Sequence, residues 1–272
     1  MRELIAATSE QLTPTERRIA EAVLDDPTLL AFGTVSELAE RVDTSRPSIV
    51  RFAHKLGFSG FSDLQRHAQD DVSRRLARPS DRIRRVSSAS ETDRHAVASA
   101  LDATFQRLTD ERIAAFASPI AAARAIWVLS GETSRAGGHA VTSGLTMLRE
   151  HVQLVEDHAV ARTLNGATAA DAAVVIDFYR YRRTTQLAAR ALAERGVTIV
   201  AITDGALSPL ASLTELWCEV SVPGIGPFDT SVPAVAVAEV LVAEVARHIP
   251  DAATASIDRT EDLWEATETF RP

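Results

Sequence analysis

The sequence predicts an α-helical N-terminal domain followed by an α/β domain with a doubly wound, five-stranded parallel sheet. Three observations carry this reading. Over the first eighty residues apolar side chains recur at helical spacing behind capping signals, whereas between residues 125 and 220 five short apolar runs alternate with helical stretches. Strands that are nearly continuous in Val, Ile and Ala are covered on both faces, the condition of a parallel sheet flanked by helices. The length, 272 residues, is about twice that of a typical domain.

In chain order, the first helix opens at Thr13-Pro14-Thr15-Glu16. A hydroxyl caps free N–H groups there, and proline is tolerated in a first turn because its missing donor is not needed. Ile19, Ala22 and Val23 follow at helical spacing, and Asp25-Asp26-Pro27 stops the helix. Thr34, followed three residues on by Glu37, is a capping-box pattern in which each side chain satisfies the other residue's backbone N–H. Val35, Leu38, Ala39 and Val42 then make one apolar face of a short helix. After Asp43-Thr44 a third start comes at Ser45, with Pro47 in the first turn. Ile49, Phe52, Ala53 and Leu56 pack inward until Gly57 ends that helix. Residues 62–85 continue as helix, with Leu64, Ala68, Val72 and Leu76 on one face, and Arg78-Pro79-Ser80 breaks it.

Two short helices joined by a tight turn, the second presenting Arg46, Ser48, Arg51 and Lys55 away from its apolar face, are the parts of a helix-turn-helix. In that motif the second helix enters the major groove, its N-terminal side chains reach base edges, and flanking hydroxyls and cations hold phosphates. An ordinary helical hairpin with solvated charges has the same spacing. The run Thr34-Val35-Ser36-Glu37-Leu38-Ala39, then Ser45 to Phe52 with its Arg51-Phe52 pair, then Lys55-Leu56-Gly57-Phe58-Ser59-Gly60-Phe61, resembles the N-terminal domain of RpiR-type bacterial transcriptional regulators. The resemblance implies that Phe52, Phe58 and Phe61 are core residues. It implies contact with a double-stranded DNA operator through Thr44, Ser45, Arg46, Ser48, Arg51 and Lys55. Pro47 stands where that family commonly has a small helix former.

From His95 to Phe116 the apolar positions are again helical, and Pro119 marks a break. The strand-like runs are then Ala125–Leu129, Val152–Val155, Ala172–Ile176, Val197–Ile202 and Leu216–Val220, with helices at Arg135–Arg149 and Thr184–Arg195 among those between them. A parallel sheet of this kind binds ligands at the carboxyl ends of its strands, where the strand order reverses. Ser130-Gly131-Glu132-Thr133-Ser134-Arg135 follows the first strand and opens a helix whose free N–H groups favour an anion. Asp177-Phe178-Tyr179-Arg180-Tyr181 follows the third strand, and Thr203-Asp204-Gly205 with Ser208 follows the fourth. The candidate effector-binding residues are Ser130, Thr133, Ser134, Asp177, Arg180, Thr184 and Ser208. Taken singly, each is also what a helix cap or a solvated surface shows.

Ile202-Thr203-Asp204 with Ser208-Pro209-Leu210-Ala211 resembles the sugar isomerase (SIS) domain, which in RpiR-type regulators follows the DNA-binding domain and senses sugar phosphates. By this resemblance Ser134 matches a phosphate-binding serine. The family's second loop usually reads Ser-x-Ser-Gly-x-Thr, however, and here Asp177-Phe178-Tyr179-Arg180-Tyr181 stands in its place. An Asp there repels a phosphate unless Arg180 or Arg183 offsets it, so the expected effector is a sugar phosphate or a related carbohydrate derivative. The expected organisation is 1–78 helix-turn-helix domain, 79–94 linker, 95–250 SIS-like effector domain and 251–272 C-terminal tail.

Net charge is −8 and 46% of residues are hydrophobic, which is globular composition. Read whole, the acidity argues against a protein that coats nucleic acid. Split at residue 85, it becomes +1 for the first part and −9 for the second. Arg41, Arg46, Arg51 and Lys55 form one basic patch, and Arg74, Arg75, Arg78, Arg82, Arg84 and Arg85 another, read as DNA-flanking or as a soluble connector. The lone Cys218 forms no internal disulfide, no signal peptide or membrane span is read, and a cytoplasmic location is expected. No metal site, nucleotide loop or cofactor is expected, because there is no cysteine pair and no His-x-x-x-His spacing.

The leading expectation is a non-enzymatic transcription factor whose second domain binds a small metabolite, assembled as a homodimer or homotetramer mainly through that domain. The alternative is a sugar-phosphate isomerase with an appended helical domain, for which His139, His151, His158, Glu132 and Glu156 are candidate bases. A third possibility is a second domain that only dimerises. The apolar helix Val232–Ala246 is a buried element of the domain or an oligomer contact.

Overall fold

The computed structural model describes residues 5, 8, 12–25, 27–76, 80, 82–83, 90–205 and 208–270, and it divides into two compact units near residue 85. The first contains α1 (Pro14–Asp25), α2 (Pro27–Phe32), α3 (Val35–Arg41), α4 (Arg46–Lys55) and α5 (Phe61–Leu76). Its core gathers Ile19, Val23, Leu30, Leu38, Ile49, Phe52 and Leu64, and Phe58 and Phe61 pack half-buried against it. Two of the three expected helix starts carry side-chain caps: Thr13 and Glu16 bond reciprocally at α1, and Thr34 and Glu37 make a full capping box at α3, whereas Ser45 before α4 makes no side-chain cap bond. Helix α2 was not expected, since six residues are too few to show a period. Its last carbonyls are closed from α5, where the Gln65 amide donates to Leu30 and Gly33 oxygens and the Gln69 amide to that of Ala31.

The second unit opens with α6 (Ser90–Arg107) and α7 (Asp110–Ala122) and continues through β1 (Ile126–Ser130), α8 (Arg135–Leu148), β2 (Val152–Leu154), α9 (Val160–Leu164), β3 (Ala172–Ile176), α10 (Arg183–Glu194), β4 (Thr198–Thr203) and β5 (Trp217–Glu219). A small hairpin of β6 (Gly224–Ile225) and β7 (Phe228–Asp229) precedes α11 (Val232–His248) and α12 (Pro250–Ala266). The sheet is parallel throughout, in the order β2-β1-β3-β4-β5. Alternation along each strand divides the core. Ile126, Val128, Val174, Ile176, Val200 and Ile202 meet α7, α8 and α11 on one face, whereas Leu129, Ala173, Val175, Ile199 and Ala201 meet α9 and α10 on the other.

Three sequence readings are amended here. Helix α7 runs through Pro119 instead of breaking there. The missing N–H leaves one carbonyl unpaired, but Ile113, Phe116, Ala117 and Ile120 all bury along one face and hold the last turn in place. That turn is closed from outside: the Arg149 guanidinium, beyond the following strand and helix, donates to the Ile120 carbonyl at 2.7 Å, to that of Ala121 at 3.1 Å, and to that of Ala123. Residues 250–266, expected as part of a tail, are a helix that buries Ala253 and Ser256. Half of the stretch assigned to a linker, 79–94, falls outside the described residues, and its last part belongs to α6. Of the second arginine cluster only Arg82 has a described side chain. Helix α11 is domain core, with Ala234, Val237, Ala238, Leu241 and Val245 buried, and Gly144 of α8 lies where a Cβ would come within 2.7 Å of Val242.

Candidate functional site

On the first unit, α3 ends in a turn that aims α4. The N–H of Thr44 donates to the Ala39 carbonyl and that of Asp43 to Glu40, with Asp43 at a φ of 47°, a Schellman closure with aspartate in place of glycine. Ser45 then stands extended at the N-cap position of α4, but its hydroxyl pairs with that of Ser48 and makes no cap bond to the helix N–H groups. Ile49, Phe52 and Ala53 are fully buried, so the helix's other side faces out by geometry. There the Ser45 and Ser48 hydroxyls lie 3.0 Å apart and Arg51 donates to Ser48 at 2.9 Å, while Arg46 and Arg51 are exposed. Thr44 is half-buried just before the cap. Lys55 is placed differently from the others: its ammonium sits 2.8 Å from Glu16 of α1. Burial pushes the Glu16 carboxyl up, but Lys55 and the Thr13 donors outweigh it and hold the group below the usual carboxylate range.

On the second unit the strand order reverses between β1 and β3, and the loops after these strands meet. The Gly131 N–H donates to the Ile176 carbonyl at 3.0 Å. Ser134 is fully buried, and its hydroxyl donates to the same carbonyl at 2.5 Å. Asp177 is also fully buried. One of its carboxyl oxygens accepts the Arg182 N–H at 2.8 Å and the other that of Phe178 at 3.0 Å. Burial, reinforced by the nearby charge of Asp204, pushes the Asp177 carboxyl up to about 7 in spite of those donors and the Arg182 charge. The carboxyl lies against Gly131, where a Cβ would stand 2.0 Å from its oxygen, so only glycine fits. Ser208 is buried with its hydroxyl 2.6 Å from that of Thr203, which itself donates to the Asp177 carbonyl at 2.8 Å.

A cavity opens beside these groups, lined among others by Ser130, Glu132, Arg135, Glu156, Asp157 and Arg182. Arg182 ties three loops together: it donates to Glu132 at 2.8 Å and pairs with Asp157, to which Thr184 also donates at 3.2 Å. Of the expected effector residues, Ser130 therefore lines the cavity, whereas Thr184 does not line it and is tied to it only through Asp157. Ser134, Asp177 and Ser208 lie beneath it with their polar atoms engaged internally. The Thr133 hydroxyl is buried without a hydrogen-bond partner, and Arg180 is exposed. His139, His151 and His158 are exposed, and none lines the cavity.

Residues 1–75 match the family model described as helix-turn-helix domain, rpiR family, and residues 119–244 match that of the SIS domain. The two matches fall on the first and the second unit in turn. The chain is 40% identical over 62 residues, 23% of its length, to a helix-turn-helix-type transcriptional regulator of Caldanaerobacter subterraneus subsp. tengcongensis, and that match spans only 22% of the relative. A helix-turn-helix-type transcriptional regulator of Haemophilus influenzae is 22% identical over 222 residues, 78% of this chain and 76% of that protein. Among solved structures, Vibrio vulnificus NanR, determined in complex with ManNAc-6P, has the same fold, with a TM-score of 0.61 at 19% identity over 97% of both chains.

The sequence reading passes over Arg182, Asp157 and Gly131. Arg182 lies in a run of three arginines among four residues, and only the loop's backbone, with Tyr179 at a φ of 62°, decides which of them turns inward. For Gly131 a signal existed: it is the one glycine of the loop after β1. No sequence pattern marks Asp157, which reaches the SIS-domain cavity from a short 3-10 turn after β2.

Proposed function

We propose that this protein is a transcriptional regulator: the first unit reads an operator in double-stranded DNA, and the SIS domain binds a small carbohydrate-derived effector that changes operator affinity. The observation that carries the reading is α4 itself. Its inner side is fully buried, and Ser45, Ser48 and Arg51 form a hydrogen-bonded row on the other side beside the exposed Arg46. Hydroxyls and guanidinium groups at a helix N-terminus are the groups that fix phosphates and read guanine edges. Thr44 borders the same surface. Lys55, held by Glu16, belongs to it only if that ion pair opens on DNA. The NanR relative, solved with a sugar phosphate, supports a carbohydrate derivative as the effector class. The proposal includes pairing of two copies, since operators of helix-turn-helix proteins are read by dimers.

The test is a gel-shift titration on DNA from the protein's own promoter region. Arg51→Ala should weaken specific binding by about 1–3 kcal/mol, roughly fivefold to 150-fold, with an unchanged melting temperature because the side chain is exposed. Equal affinity of variant and wild type would remove Arg51 from the interface. Release or tightening of the wild-type complex by a carbohydrate panel tests the effector half. Turnover of ketose or aldose phosphates in a coupled assay would favour the isomerase reading instead.

A further inference from the structure

We infer that the strand-end site of the SIS domain takes only an unphosphorylated ligand, because the chain's own Asp177 carboxyl group fills the place where a phosphate would be cradled. This rests on reading the cavity as the effector site.

A phosphate is held at the end of a parallel strand by a close-approach glycine, backbone N–H groups at a helix N-terminus and a few hydroxyls. Each of these parts is present, and the glycine, the Arg182 N–H and the Ser134 and Ser208 hydroxyls are already used, which leaves the Thr133 hydroxyl and the N-terminus of α8, which no side chain caps. The space over Gly131 that admits an anion to the backbone holds the Asp177 carboxyl, with one oxygen 2.0 Å from where a Cβ would be. The N–H of Arg182, the N-cap residue of α10, donates to the same carboxyl at 2.8 Å. The Ser134 hydroxyl is turned onto the Ile176 carbonyl, and the Ser208 hydroxyl is paired with Thr203. The group occupying the cradle is thus bonded to two backbone donors and buried, which a mobile ligand would have to displace.

The charge around the cavity points the same way. Glu132, Glu156 and Asp157 line it, against Arg135 and Arg182. Arg182 is spent on Glu132 and Asp157, and Arg135 stands 4.0 Å from Glu132. A dianion entering here meets Asp177 and Asp204 behind three more carboxylates, whereas hydroxyl or ammonium donors find acceptors on all sides.

The experiment uses the full chain at about pH 8, where the Asp177 carboxyl is ionised, with inorganic phosphate titrated at constant ionic strength. The wild-type melting temperature should stay unchanged. Asp177→Ser, which empties the cradle and leaves a hydroxyl, should show a saturable rise of a few degrees, since a ligand that binds only the folded state stabilises it. A saturable rise in the wild type overturns the inference, and so does the absence of any rise in an Asp177→Ser chain that keeps wild-type circular dichroism. Calorimetry of the wild type with inorganic phosphate and with ManNAc-6P reads the point without a variant: saturable heat overturns the inference, and its absence supports it. Operator binding is followed in the same samples. An operator complex indifferent to every carbohydrate would count against the regulatory reading and leave the phosphate result standing.

Discussion

Asp177 is held between burial, which pushes its carboxyl up to about 7, and the backbone donors of Arg182 and Phe178, which pull it down. The folded chain therefore keeps a proton that the unfolded chain gives up near 3.8, and stability follows the difference in bound protons. The contribution of Asp177 is fully present below about pH 4, declines as the pH rises through about 7, and is level above that. Asp177→Asn should flatten this decline, measured by urea unfolding at pH 5 and pH 8. A variant that loses as much stability as the wild type between the two would show that another group is responsible. Burial acts on Cys218 in the same direction, pushing its thiol up to about 12, so a thiol reagent should label it only as the domain unfolds.

Among the elements, α3 depends on its cap. Both halves of the Thr34–Glu37 box are formed, with the Thr34 N–H donating to Glu37 at 2.7 Å. Thr34→Ala should cost about 1 kcal/mol of stability in denaturant titration; a loss below a few tenths would mean that packing of Leu38 and Ala39 alone holds the helix. This cap and the five strands were legible in the sequence because capping chemistry is local and a strand buried on both faces is an unbroken apolar run. The unread elements have tertiary causes. Helix α2 is closed by Gln65 and Gln69 from α5, α7 passes Pro119 on the strength of its buried face, and α12 inserts only Ala253 and Ser256, too little apolar surface to show a period. The β6–β7 hairpin had only Gly226-Pro227 to announce its turn. The same divide runs through the candidate site. Ser130 and Asp177 could be named as candidates because they stand at strand ends, whereas Arg182 and Asp157 meet only once three loops are placed side by side.

At the scale of the whole chain, the division of charge, +1 before residue 86 and −9 from there on, sets an acidic second unit beside a first unit whose basic groups are few and local, which the proposed DNA contact has to use. Affinity for non-specific DNA should be weak, and operator binding should fall steeply between about 50 and 200 mM salt, roughly in proportion to the phosphates neutralised. An affinity indifferent to salt would place the contacts elsewhere than on the cations of α4. The closure of α7 by Arg149 has a temporal side. The carbonyls of Ile120 and Ala121 wait for a partner twenty-eight or twenty-nine residues downstream. While the chain is being made, the end of α7 lacks this partner until β1 and α8 have been synthesised, so the helix is sealed by the residue that follows the unit's first strand–helix pair.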